Sequence, residues 1–226
     1  MKKLALLVAI LFPLAAFAQE AAEEEQSPAE RNKMLYSLGF LLGDNLQREL
    51  ILDNEDDYKA LSQGMRDSLL GKKAQTDVEQ YKPQIEQKYR RDAKKIAEKR
   101  EAKQKEFVES FKKQKGVKVL DNGAMIKLLK NGKGKNPKAD SKVTVHYTGK
   151  LLDGTKFDSS KDRNEPLQIG LNQVIPCWTK AIQQMKPGAQ AQIVCPADTA
   201  YGPRPVGPIP PNSVLMFDVE MIDFEK

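Results

Sequence analysis

Five short blocks in the last third of the chain set aromatic or branched apolar side chains beside a turn or a strand end. They are Val145-His146-Tyr147-Thr148-Gly149, Phe157-Asp158-Ser159-Ser160, Val174-Ile175-Pro176-Cys177-Trp178, Ala200-Tyr201-Gly202 and Phe217-Asp218-Val219-Glu220. Brought together they line one apolar cavity with a few polar groups at its rim, the composition of a ligand pocket. Other chemistries find few parts here. His146 is the single histidine, and a Ser-His-Asp arrangement would have to use it. It falls mid-strand, facing away from Tyr147, where a structural role is expected. One His and two distant Cys do not make a zinc site. Gly132-Lys133-Gly134 reads as a turn with solvated lysines and not as a phosphate loop. Neither a metal nor a cofactor is expected.

The elements that must position these blocks are short strands. Val117–Leu120, Met125–Leu129, Lys142–Leu151, Ala189–Cys195 and Val214–Phe224 have strand texture. In Lys142–Leu151 the period of two puts Val143, Val145 and Tyr147 on one face and Thr144, His146 and Thr148 on the other. Asp121-Asn122-Gly123 and Asp153-Gly154 mark turns. A short helix over Trp178–Met185 stops at Lys186-Pro187-Gly188. This is an antiparallel sheet with one helix laid across it, an α+β domain.

The first half of the chain has helical texture. Met34, Leu35, Leu38, Leu41, Leu42, Leu46 and Leu50 recur at spacings of three and four. A second helix is expected over 55–70, ended by Gly71. Thr76-Asp77-Val78-Glu79 matches a capping box and opens a helix running to about Gln114. At 1.5 Å per residue it extends roughly 55 Å, with Pro83 kinking it or delaying its start. From Arg90 to Lys105 it is nearly all charged or Ala, which predicts an exposed arm. Phe107, Val108 and Phe111 then return to pack on the following domain. The first two helices carry more apolar surface than so small a segment can bury alone, and self-association would cover it.

The chain has 226 residues, is 40% hydrophobic and 30% charged, and carries a formal charge of +6. Lys2-Lys3, the apolar run Leu4–Ala15 and Ala16-Phe17-Ala18 read as a signal peptide over 1–18, too short to span a bilayer comfortably. Its removal takes two lysines and leaves +4. A charge so small, interleaved with acidic residues, points to neither nucleic acid nor a membrane surface. No integral membrane segment is expected after signal removal. The leader fits an exported bacterial protein of the Gram-negative periplasm, with outer-membrane association or secretion as other destinations. Residues 19–30 are acidic and read as a disordered lead-in. A helical domain over 31–75, a connecting helix over 76–115 and a sheet domain over 116–226 complete the expected organisation.

From about Gly116 to Glu225 the order of the blocks closely resembles the FK506-binding-protein (FKBP) family of peptidyl-prolyl cis-trans isomerases. The Tyr36-Ser37-Leu38-Gly39-Phe40-Leu41-Leu42-Gly43 pattern and the long helix are similar to the Mip/FkpA-type bacterial subgroup. That resemblance implies a homodimer through the N-terminal helices. It makes Trp178 the floor on which a proline ring sits and Tyr147, Phe157, Val174, Ile175 and Phe217 the walls. Tyr201 would offer its hydroxyl to a substrate carbonyl. Asp158 would lie near the twisted amide, with Arg163 pairing to it, and Ile209 would close the mouth. The segment 164–173 lacks the family's Phe, so Leu167 or Ile169 takes a wall role. Cys177 stands where the family has Gly, so either the turn is strained there or Cys177 bridges to Cys195. Two half-buried, unpaired thiols are the other reading.

The resemblance implies a catalyst of X–Pro rotation acting on proline-containing unfolded or nascent polypeptides. FK506 or rapamycin would be candidate macrolide ligands. Rotation must break amide resonance against a barrier of about 18–20 kcal/mol. A shaped apolar pocket can favour the twisted amide without touching a covalent bond. The competing reading is a dimeric holdase chaperone with weak or vestigial isomerase activity.

Overall fold

A computed structural model describes residues 27–225. The stretch read as a signal peptide and most of the stretch read as a lead-in lie outside the described residues. The chain divides into one compact unit ending at Met65 and another beginning at Arg66.

In the first unit, α1 spans Pro28–Gln47. It starts inside the stretch read as disordered. Ser27 Oγ accepts from the Glu30 amide at 3.3 Å, and Pro28 occupies the first helical position, where its missing N–H costs nothing. No α1 side chain is buried, and Leu35, Leu38, Phe40, Leu41 and Leu42 are all exposed. Helix α2, Glu55–Leu69, begins in this unit and ends past Met65. Asn54 Oδ1 opens it by accepting from the Asp56 and Asp57 amides at 2.9 and 3.0 Å.

In the second unit, Gly71 ends α2 with a left-handed φ of 66°, which favours glycine. Helix α3 spans Val78–Lys112. Its cap is Asp77 and not the expected Thr76. The Asp77 carboxylate accepts from Glu79 and Gln80 N–H at 3.1 and 3.4 Å, and its charge also suits the positive end of the helix. Pro83 lies inside α3 and does not delay its start. The only hydrogen bond it removes is near the helix end. Glu86–Arg90, Lys88–Asp92 and Lys94–Glu98 pair one turn apart. The exposed-arm reading needs correction at two positions, because Asp92 and Gln104 are buried.

Seven strands follow: β1 Val117–Val119, β2 Met125–Lys130, β3 Lys142–Leu151, β4 Lys156–Ser159, β5 Leu167–Gly170, β6 Gln190–Cys195 and β7 Leu215–Glu225. All pairs are antiparallel in the order β1-β2-β6-β7-β3-β4, with β5 also pairing β3. Helix α4, Pro176–Ile182, starts and stops earlier than the expected 178–185, because Pro176 can open a helix.

Alternation along the strands builds two cores. On one face Val143, Val145 and Tyr147 of β3, Ile193 of β6 and Phe217 and Val219 of β7 cluster with Trp178, Ala181 and Ile182 of α4. The alternate residues Met125 and Val194 join Phe111 and Val214 in a smaller cluster that includes Phe107 and Val108. The end of α3 is therefore part of the sheet domain, as the returning aromatics predict. Burying Phe111 contributes roughly 1.5–3 kcal/mol.

Candidate active site

Within the main core, aromatic rings from β3, β4, α4 and β7 meet in one cluster. Tyr147 and Phe217 each meet Trp178 edge to face, with ring centroids 5.1 Å apart in both pairs. Phe157 meets Phe217 the same way at 5.6 Å. Edge-to-face pairs place the positive edge of one ring on the negative face of the next, each worth about 0.5–1.5 kcal/mol beyond area burial. The register explains the convergence. Gly149 of β3 lies opposite Asp158 of β4 on one side and Phe217 of β7 on the other. Without a side chain, Gly149 leaves room for the rings of Phe157 and Phe217. The sequence places Gly149 in a block but gives no sign of this function.

Trp178 is the third residue of α4 and is 4% exposed. Its indole N–H has no hydrogen-bond partner among the described residues, so packing holds the ring. A disulfide anchors its neighbour. Cys177 and Cys195 are bridged, with Cα atoms 5.6 Å apart, and both are fully buried. The unpaired-thiol reading is thereby excluded. Cys177 lies inside the helix without a positive φ, so the backbone does not need the glycine that the family resemblance suggests.

Polar groups gather at the rim. The Tyr147 hydroxyl donates to Asp158 Oδ2, and Arg163 Nη1 donates to Asp158 Oδ1 at 2.5 Å. Arg163 Nη2 also donates to the Tyr147 oxygen at 3.2 Å. Burial by itself would raise the Asp158 pKa. The bonds from Tyr147 and Arg163 and the guanidinium charge outweigh it, and the carboxyl is held below its ordinary value. Burial, and then the bond to Asp158, push the Tyr147 phenol up. Arg163 is held protonated by the same partners. The result is an ionised carboxylate beside the aromatic rings, with its charge locally compensated.

Leu167 and Ile169 lie opposite Val145 and Val143 on one face of β5. Both pack on the main core, as do Val174, Ile175 and Ile209. Tyr201 stands apart, 38% exposed, and no hydrogen bond or ring contact ties it to the cluster among the described residues. His146 Nδ1 lies 3.1 Å from Ser160 Oγ, the one His–Ser pair. Ser160 has no exposed surface, and its oxygen accepts from the Tyr147 amide at 2.8 Å. It clamps β3 to the chain after β4 and is not available as a nucleophile.

Known protein families match this chain along both halves. The model for FKBP-type peptidyl-prolyl cis-trans isomerase matches residues 133–222, and that for the domain amino terminal to it matches 31–127. FKBP-type peptidyl-prolyl cis-trans isomerase FkpA of Aeromonas hydrophila is 38% identical over 94% of this chain and 86% of its own length. Outer membrane protein MIP of Legionella longbeachae is 36% identical over 99% of both. The crystal structure of FkpA from Escherichia coli superposes with a TM-score of 0.58 at 37% identity, covering 87% of this chain and 97% of that one. The chain belongs to the FKBP-type peptidyl-prolyl cis-trans isomerases.

Proposed function

We propose that this isomerase turns X–Pro bonds by holding the twisted amide among Tyr147, Phe157, Trp178 and Phe217. Its substrates are proline-containing unfolded polypeptides of the periplasm. The observation that carries this reading is the meeting of four aromatic rings with one compensated carboxylate at their rim. The apolar walls withdraw water hydrogen bonds that favour the planar, conjugated amide, an effect that acts more on the ground state than on the twisted state. Conjugation also puts partial negative charge on the carbonyl oxygen. The Asp158 carboxylate disfavours that charge and so favours the state that has lost it. Val174, Ile175, Leu167, Ile169 and Ile209 shape the cavity around the proline ring, and Tyr201 supplies a hydroxyl at the mouth. The same cavity would take a macrolide such as FK506 or rapamycin.

The exposed apolar residues of α1 supply the seam of a homodimer. The leader over 1–18 and the relative named as an outer membrane protein support export. Acceleration of cis–trans exchange in a proline tetrapeptide, abolished by rapamycin, tests the pocket. A full-length protein that leaves the exchange rate unchanged would remove the reading.

A further inference from the structure

Arg100, Gln104, Phe107 and Phe111 form one stripe on the last turns of α3, at spacings of four, three and four. The two aromatics stack with centroids 5.9 Å apart and help seal the smaller core. The two polar members reach the segment that precedes β7. Arg100 Nη2 donates to the Pro211 carbonyl at 3.1 Å. Gln104 Nε2 donates to the Asn212 carbonyl at 3.1 Å, and Gln104 Oε1 accepts from the Val214 amide. One side-chain amide thus satisfies a carbonyl and the N–H two residues later, the pairing that a neighbouring strand would supply. Gln104 is 8% exposed, so these bonds form away from water, where leaving either group unmet is costly.

The segment held in this way is the base of the loop at the pocket mouth. Its tip closes on itself, with Val206 and Ile209 exchanging backbone bonds of 3.1 and 2.9 Å. Its base is closed by the Asn212 amide donating to the Gly202 carbonyl at 2.7 Å. Asn212 takes a left-handed φ of 56° there, a conformation that asparagine tolerates better than most residues. Ser213 Oγ donates to the Pro210 carbonyl at 2.7 Å. The loop from Tyr201 to Val214 is therefore internally tied, and its placement depends on what grips its base. Ile209 at the lip lies within it, Tyr201 begins it, and Phe217 follows three residues beyond it.

We infer that Gln104, assisted by Arg100, is a positioning residue for the isomerase pocket, through which α3 fixes the Tyr201–Val214 loop and hence its lip at Ile209. The inference rests on the pocket reading above. It makes α3 a working part of the site, and docking of α3 on the loop base becomes coupled to substrate binding, necessarily in both directions.

The test uses the full-length chain and the variants Gln104→Ala, Gln104→Glu and Arg100→Ala. Isomerisation of a proline tetrapeptide gives kcat and KM, and hydrogen exchange follows the Val214 amide. Gln104→Ala should raise KM by about 5-fold or more with kcat little changed, because a loosened lip lowers the fraction of protein ready to bind. Gln104→Glu keeps the acceptor for Val214 and loses the donor to Asn212, so its KM should fall between the two. In the wild type, saturating rapamycin should slow exchange at Val214. A folded Gln104→Ala protein with wild-type KM and faster exchange at Val214 would overturn the inference, and so would a fall in kcat alone. If Gln104→Ala does not fold, a wild-type KM in Arg100→Ala, together with no rapamycin effect on Val214 exchange, overturns it. An inactive wild type would instead overturn the pocket reading.

Discussion

A β-carbon on Gly149 would stand 2.5 Å from Cε2 of Phe157 and 3.0 Å from Cε1 of Phe217. Neither ring can yield without leaving its edge-to-face partner. Gly149→Ala should therefore lower stability by about 1–3 kcal/mol, the usual cost of overpacking. It should also lower kcat/KM about tenfold, since 1.4 kcal/mol of lost transition-state binding suffices for that. Denaturant titration and a tetrapeptide assay on the same preparation check both. Unchanged kcat/KM would remove Phe157 from the walls.

The Cys177–Cys195 bridge joins the start of α4 to the end of β6 and closes a loop of 18 residues. Cross-links over such a loop stabilise by about 3 kcal/mol in the chain-entropy account. The double variant Cys177→Ala/Cys195→Ala should unfold at correspondingly lower denaturant. Trp178 is the only tryptophan, so its emission reports the same transition from within the pocket. Equal midpoints for variant and wild type would show that the bridge contributes nothing to the fold.

Asp158 has a folded-state pKa below its ordinary value, so the stability it contributes is present above the unfolded carboxylate range, near pH 4. That contribution is lost only as pH falls through the depressed value. Tyr147 has a raised pKa, so its contribution is present below about pH 10 and is lost as pH rises through the raised value. The rim cluster thus keeps one ionisation state between those limits. With a peptide that does not titrate, kcat/KM should be level from about pH 5 to pH 9. A sigmoidal change near neutrality would show that another group controls the rate.

Removal of residues 27–75 deletes α1 and α2, with the exposed apolar face of α1. The remaining chain should sediment as a monomer and retain full activity on a tetrapeptide, because α3 and its contacts to Pro211–Val214 stay intact. A truncated protein that remains dimeric would contradict the α1 seam.

Much of this was legible in the residues. Alternation in Lys142–Leu151 predicts the buried face of β3, because burial leaves a period of two in the residues themselves. Strands β4 and β5 were not read, since four residues are too few to show a period. The expected cap at Thr76 is one residue early because Thr is also a favoured N-cap type and fits a capping box with Glu79. Gln104 was lost in a charged helix. Its partners are backbone groups more than a hundred positions away, and no local pattern encodes them. The Cys177–Cys195 pairing depends on a Cα separation that sequence does not contain.

Asp158, held by Tyr147 and Arg163 beside the aromatic rings, is the group proposed to favour the twisted X–Pro bond. The most direct test of that role is the rate of tetrapeptide isomerisation by wild type and Asp158→Ala, with aggregation suppression measured in parallel. Asp158→Ala should lose about tenfold or more in kcat/KM while staying fully folded and suppressing aggregation as the wild type does. Isomerisation at the wild-type rate by Asp158→Ala would contradict that role.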